Sequence, residues 1–217
     1  MGGTVAPVKA LVALALGMLA LALAALVAVV ALGGDGGTTT SPAPSPYAGS
    51  RPPEGVVLPS FTLTDEAGRR VASDELRGSV VLVTFLDTQC TDACPVVAGE
   101  HARAVDALTP SERERVRVLG ITVDPIEDTP ASVDAFLARH HAEGRLSYLT
   151  APVAQMETLW KAFAILPTAR SGDDSLHSIP VQVYDPTGEW RSTLTTGVDL
   201  TRRNVLHDVR LAFAEGS

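Results

Sequence analysis

The sequence predicts one α/β domain, a mixed sheet with helices on both faces, preceded by one transmembrane helix. Three observations carry this. Val80–Leu86 and Val116–Val123 are continuous, β-branched apolar runs, as strands buried on both faces would be. Apolar residues between and after them recur at helical spacing. A hairpin signal and a closing amphipathic helix end the chain, so strands and helices alternate along most of it.

The anchor comes first. Ala10–Leu32 is a run of 23 apolar residues. As a helix it would span about 35 Å, slightly more than the roughly 30 Å hydrocarbon core. Residues 1–9 then form a short cytoplasmic N-terminus, since Lys9 and the α-amino group favour the cytoplasmic side. A cleaved signal peptide is the rival, with Ala31-Leu32-Gly33 offering a small-x-small pattern, but signal cores usually run about 7–15 residues. Either reading puts the domain on the extracytoplasmic face of the cell membrane. No cysteine follows the apolar run, as a lipid-modified anchor would need. Residues 33–55, rich in Gly, Ser, Thr and Pro, read as a flexible linker. The folded domain is expected over 56–217.

Within it, Leu58–Gly68 reads as a strand entering a turn, and Val80–Leu86 as a buried strand. A helix follows with Val97, Val105 and Leu108 on one face. After the second buried strand, Thr129-Pro130 reads as an N-cap with Pro at the first helical position, and Val133, Phe136 and Leu137 continue the helix. Met156, Leu159, Trp160 and Phe163 mark another. Ile179–Tyr184 and Trp190–Thr195 flank Asp185-Pro186-Thr187-Gly188, a hairpin turn. Val205, Val209 and Phe213 line the last helix. This order is the layout of a thioredoxin-like fold.

Composition excludes some functions. The net charge is −8, and the chain past residue 33 holds 16 basic and 25 acidic residues with no long basic run. Phosphate backbones require a basic stripe, so no nucleic-acid partner is expected. The only two cysteines, Cys90 and Cys94, lie four positions apart. A structural disulfide gains more from a longer loop. A close pair found nowhere else reads as a redox or metal site.

The pair sits in Thr88-Gln-Cys-Thr-Asp-Ala-Cys-Pro95, between a buried strand and a helix. Pro95 suggests the helix starts there, with Cys94 as N-cap and Cys90 in the preceding loop. A helix N-terminus favours thiolate. The three-residue spacer differs from the two-residue spacer of thioredoxin-type reductants and of common zinc sites. The two sulfurs could form a disulfide or chelate a soft metal. A third ligand would come from the histidines. His101 falls on the apolar face of its helix and reads as core. His140 and His141 sit near a helix end, where cationic side chains suit the dipole, and His207 reads as a solvated face residue. His177 lies in a polar loop just before a predicted strand, and spacing alone leaves its role open.

Cys90-Thr-Asp-Ala-Cys-Pro95, Val123-Asp-Pro-Ile-Glu-Asp-Thr-Pro130, and His177-Ser178 eight residues before Asp185-Pro186-Thr-Gly188 together resemble the Sco/SenC family pattern. The likeness covers about Leu58 to Gly188. It implies a thioredoxin-like domain binding one copper through Cys90, Cys94 and His177. It also implies a role in assembling the binuclear copper centre of cytochrome c oxidase, with that enzyme's copper-bearing subunit as partner. Copper(I) is soft and favours thiolates at low coordination number. One departure is Leu176, where the family often has Asp before the metal-binding His. A second reading is a thiol–disulfide oxidoreductase using Cys90 and Cys94 as its redox pair. A third, weaker one is a copper or redox sensor that docks a membrane partner. Outside the cytoplasm the cysteines would need an external thiol reductant before binding copper. Asp124-Pro125 and Asp128-Thr129 are expected only to end a strand and cap a helix.

Overall fold

The computed structural model describes residues 16–18, 45–165 and 179–216. The chain divides into two compact units, Met1–Pro44 and Ser45–Ser217. Of the first, only Leu16, Gly17 and Met18 are described, and they are helical. The rest of the expected membrane segment, 10–32, and the linker up to residue 44 lie outside the described residues. Among the described residues no helix is long and apolar enough to cross a membrane.

The second unit is built on a five-stranded sheet. Its strands are β3 (Val80–Leu86), β4 (Val116–Thr122), β5 (Ser147–Leu149), β6 (Pro180–Tyr184) and β7 (Trp190–Thr195), in the order β5-β4-β3-β6-β7. β3, β4 and β5 run parallel, and β6 and β7 add antiparallel partners, so the sheet is mixed as predicted. A separate hairpin pairs β1 (Thr62–Thr64) with β2 (Arg70–Ala72).

All seven residues of β3 are buried, because both sheet faces are covered. Val80, Leu82 and Leu86 point to one face. There α1 (Ala93–Asp106), α3 (Pro130–Arg139) and α5 (Arg202–Glu215) contribute Val97, Phe136 and Val205. Val81, Val83 and Phe85 point to the other. There α4 (Val153–Ala162) and the β1–β2 hairpin contribute Met156, Trp160 and Leu63. A short α2 (Pro110–Glu114) links α1 to β4.

Local signals account for several boundaries. Thr129 caps α3 by accepting from the Ser132 N–H, with Pro130 at the first position. The β6–β7 turn is tied by Asp185, whose Oδ1 accepts from the N–H groups of Thr187 and Glu189 at 2.8 and 3.0 Å. Gly188 takes the left-handed conformation there, φ +86°.

Two expectations need correction. Cys94 is not the N-cap of α1; Asp92 holds that position and Cys94 is the second helical residue. Pro95 is the third, still within the turn whose N–H groups have no intrahelical partner, so the helix accommodates it. The packed domain also begins before Val56. Tyr47 is buried and its hydroxyl donates to Glu215 at 2.7 Å. The Ala48 and Gly49 N–H groups donate to Asp208 at 2.7 and 3.1 Å, and Ser50 pairs with Thr193. Residues 45–50 are thus a strap on α5 and β7, held by one aromatic ring and one buried carboxylate. The mid-linker composition gave no sign of it.

Candidate metal centre

β3 delivers the chain to the cysteine loop at the carboxyl end of the parallel strands. The turn is fixed locally: Asp87 Oδ1 accepts from Gln89 N–H at 2.7 Å, and Asp87 C=O accepts from Cys90 N–H at 3.2 Å. Cys90 is half-buried and Cys94 is buried at 3% exposure, and both are thiols rather than a disulfide. The Cys94 N–H donates to Cys90 Sγ at 3.4 Å, so a sulfur serves one of the unpaired donors at the start of α1.

That geometry makes the two sulfurs unequal. The Cys94 thiol donates to the Cys90 sulfur, and the N–H groups of Cys94, Asp92 and Ala93 also point at it. Together these outweigh burial and hold Cys90 down to about 6. The same shared proton, with burial, pushes Cys94 well above the ordinary thiol range. The donors gathered on the more accessible sulfur thus favour charge on Cys90 over Cys94. Burial raises the neighbouring Asp87 carboxyl.

Of the three predicted ligands, the structure brings Cys90 and Cys94 together. His177 lies outside the described residues. Its described neighbour Ile179 is buried, and its C=O accepts from the Thr196 N–H and hydroxyl. Pro180 C=O accepts from Thr84 Oγ1 of β3 at 3.2 Å. β6 therefore starts beside the end of β3 that feeds the cysteine loop. Among the described residues no group of three or more His, Cys, Asp or Glu side chains is placed to hold a metal. Two sulfur donors suit a soft ion.

The other histidines are occupied elsewhere. His101 is fully buried and its Nδ1 lies 2.8 Å from Val97 C=O, so that nitrogen carries the proton. Burial pushes it down to about 4, and its Nε2 has no partner among the described residues. His140 ends α3 against the Phe136 ring, and His141 adopts φ +55°. His207 Nδ1 sits 2.9 Å from Asp208 Oδ1.

Asp128 is the residue that sequence reasoning undervalued. It does not cap α3; Thr129 does. Its carboxylate turns inward, at 4% exposure. There it accepts from Thr88 N–H at 2.9 Å, from Tyr148 OH at 2.6 Å and from Thr122 Oγ1. An acid left over beside a complete Thr-Pro cap was the available signal.

The chain is similar to several known proteins. A protein of Stutzerimonas stutzeri named as copper-binding is 29% identical over 147 residues, 66% of this chain and 71% of that one. A SCO2-like protein of Rickettsia felis is 31% identical over 114 residues, 52% of this chain. The chain spans 54% of that relative's length. ScoI of Bradyrhizobium japonicum, solved with copper bound, superposes with a TM-score of 0.59 at 23% identity, covering 73% of this chain and all of that one. Such neighbours establish the thioredoxin-like fold. The family model described as SCO1/SenC matches residues 50–212, three quarters of the sequence, and the chain belongs to that family.

Proposed function

We propose that this protein is a membrane-tethered copper(I) chaperone. It holds one copper ion as cargo through Cys90, Cys94 and His177 and delivers it to the copper-bearing subunit of cytochrome c oxidase. The observation that carries this is the cysteine pair itself. Two sulfurs meet at a helix start, where the Cys94 N–H donates to a half-exposed Cys90 Sγ at 3.4 Å. A soft cation entering there binds the deprotonated sulfurs, so uptake releases the thiol protons still present. His177 as third ligand is supported by Ile179, two residues on and anchored beside β3; two residues reach at most about 7 Å. A three-ligand site leaves a side open to a client sulfur. Names of relatives point the same way: BsSco is described as a member of the Sco family of cytochrome c oxidase assembly proteins. The apolar run Ala10–Leu32 supports the tether and the extracytoplasmic placement.

One observation favours the second reading, a thiol–disulfide reductase. Cys90 is the accessible sulfur and the backbone N–H groups of the helix start favour its charged form, while Cys94 is buried behind it. Cys90 would attack a client disulfide, forming a mixed disulfide and releasing one client thiolate. Cys94, giving up its proton, would then displace the second client sulfur. The protein is left as the Cys90–Cys94 disulfide, the client as the dithiol, and an external thiol reductant must reset the pair.

An anaerobic copper(I) titration of the reduced full-length chain against a competing chelator tests the proposal. One ion per chain is expected. Binding should be abolished in Cys90→Ser/Cys94→Ser and weakened at least about tenfold in His177→Ala. Affinity indifferent to His177 would sink the three-ligand site and leave the reductase reading.

A further inference from the structure

We propose that Asp128 is a positioning residue for the cysteine loop: its buried carboxylate sets where Cys90 and Cys94 stand relative to the sheet. For copper this rests on the chaperone reading above.

The loop's internal bonds, Gln89 N–H to Asp87 Oδ1 and Cys90 N–H to Asp87 C=O, set its shape but not its place. Its place is set by the Thr88 N–H, which donates to Asp128 Oδ1 at 2.9 Å across 40 residues of sequence. The other oxygen, Oδ2, is gripped from the sheet, by the Thr122 hydroxyl at the end of β4 and the Tyr148 hydroxyl of β5. Thr122 Oγ1 in turn accepts from Asp124 N–H at 3.0 Å, and Trp160 Nε1 donates to Thr122 C=O. Asp128's own N–H donates to Asp124 C=O, and the next residue caps α3. One carboxylate thus joins the cysteine loop, two strands and a helix start. All three partners of its side chain are donors, the arrangement a carboxylate is suited to and an apolar residue cannot serve. A site that gathers ligands from separate segments depends on where each is held, and outer partners of metal ligands typically matter by about 10–100-fold in affinity.

The test compares Asp128→Ser, Asp128→Asn and Asp208→Ala with the native chain, all full-length. Serine stays polar but is one bond shorter than aspartate, so its single oxygen cannot span from the Thr88 amide to the Thr122 and Tyr148 hydroxyls. Asparagine keeps an oxygen for that amide. Asp208→Ala removes a buried carboxylate that does not touch the cysteine loop. Copper(I) affinity should fall at least about tenfold in Asp128→Ser, recover to within about threefold in Asp128→Asn, and stay unchanged in Asp208→Ala. A folded Asp128→Ser protein with native affinity overturns the proposal. If the native chain takes up no copper(I), the chaperone reading fails, and positioning is judged on the cysteines alone. The equilibrium between dithiol plus oxidised glutathione and disulfide plus two reduced glutathiones should then shift about tenfold in Asp128→Ser; no shift overturns it. Should Asp128→Ser fail to fold, hydrogen exchange on the native chain decides. The Thr88 amide should exchange as slowly as those of β3, and fast exchange there overturns the proposal.

Discussion

Asp128 and Asp208 do the same chemistry in two different regions. Each is buried, at 4% and 0% exposure, and each accepts from a loop N–H and a hydroxyl. Asp128 holds the cysteine loop against β4 and β5. Asp208, on α5, holds the strap at Ala48 and Gly49 against β7 through Ser192 Oγ at 2.7 Å. In both regions a stretch without regular structure needs its backbone donors paired, and a carboxylate pairs several at once. The difference is what the held segment carries. The strap carries only itself, so losing Asp208 should cost stability alone. The loop carries two thiols, so losing Asp128 should also cost function.

The largest test of that contrast is Asp208→Ala. It strips the acceptor from the buried Gly49 N–H and Ser192 hydroxyl, each worth about 1–3 kcal/mol when left unpaired, and from the N–H of the exposed Ala48, which water can serve. Urea unfolding should show a loss of about 4 kcal/mol. A loss under about 1 kcal/mol would mean the strap adds little and the two carboxylates are not equivalent.

Acid probes α1, which begins at the cysteines and packs against α5, and so adjoins both regions. Buried His101 has its pKa held down to about 4, below the ordinary 6.5. The unfolded chain therefore takes up the proton first, and stability falls as pH drops from 6.5 towards 4. Between pH 7 and pH 5 the loss should be about 2 kcal/mol. It should vanish in His101→Leu. A slope that survives the substitution would assign the acid sensitivity to other groups.

The smallest effect sharpens the comparison from outside. Glu112, at the start of α2, is held down to about 2, chiefly by Arg210 of α5 at 2.8 Å. The sign is opposite to that of His101: this carboxylate stabilises above its ordinary pKa and the contribution disappears as pH falls through about 2. The Arg210 side chain is half-exposed, so solvent screening should leave only about 0.5 kcal/mol. A double-mutant cycle with Glu112→Ala separates it from the bond Glu112 makes to Thr109 N–H. A coupling above about 1.5 kcal/mol would show that exposed carboxylates here work as hard as buried ones.

Most of the sheet was legible because its strands announce themselves. Val80–Leu86 is a strand from end to end, and Thr129-Pro130 opens α3 as read. The mixed sheet and the helices on both faces follow from the same periodicities. What escaped was short or held from a distance. β2 and β5 have three residues each, too few to establish alternation, whereas β1 lies within the strand read over Leu58–Gly68. The strap is anchored by a single Tyr47 within Pro- and Ser-rich sequence, and its carboxylate lies 160 residues away. At the site, the cysteine pair was visible from spacing, while the turn tied by Asp87 emerged only from the structure. The inward orientation of Asp128 was not, since its partners come from three separate segments and no local pattern encodes them.

The strap has a further consequence for how these molecules behave when crowded together. An open sheet ends in strands whose outer N–H and C=O groups invite another chain to add on. Here β7 is screened along that side by Ser50 opposite Thr193 and by Val57 opposite Glu189. β5, at the opposite margin, is only three residues long and is followed by Thr150, which pairs with Thr64 of the hairpin. Neither margin presents a long unpaired row. Many copies concentrated on one surface could therefore collide often without polymerising strand to strand.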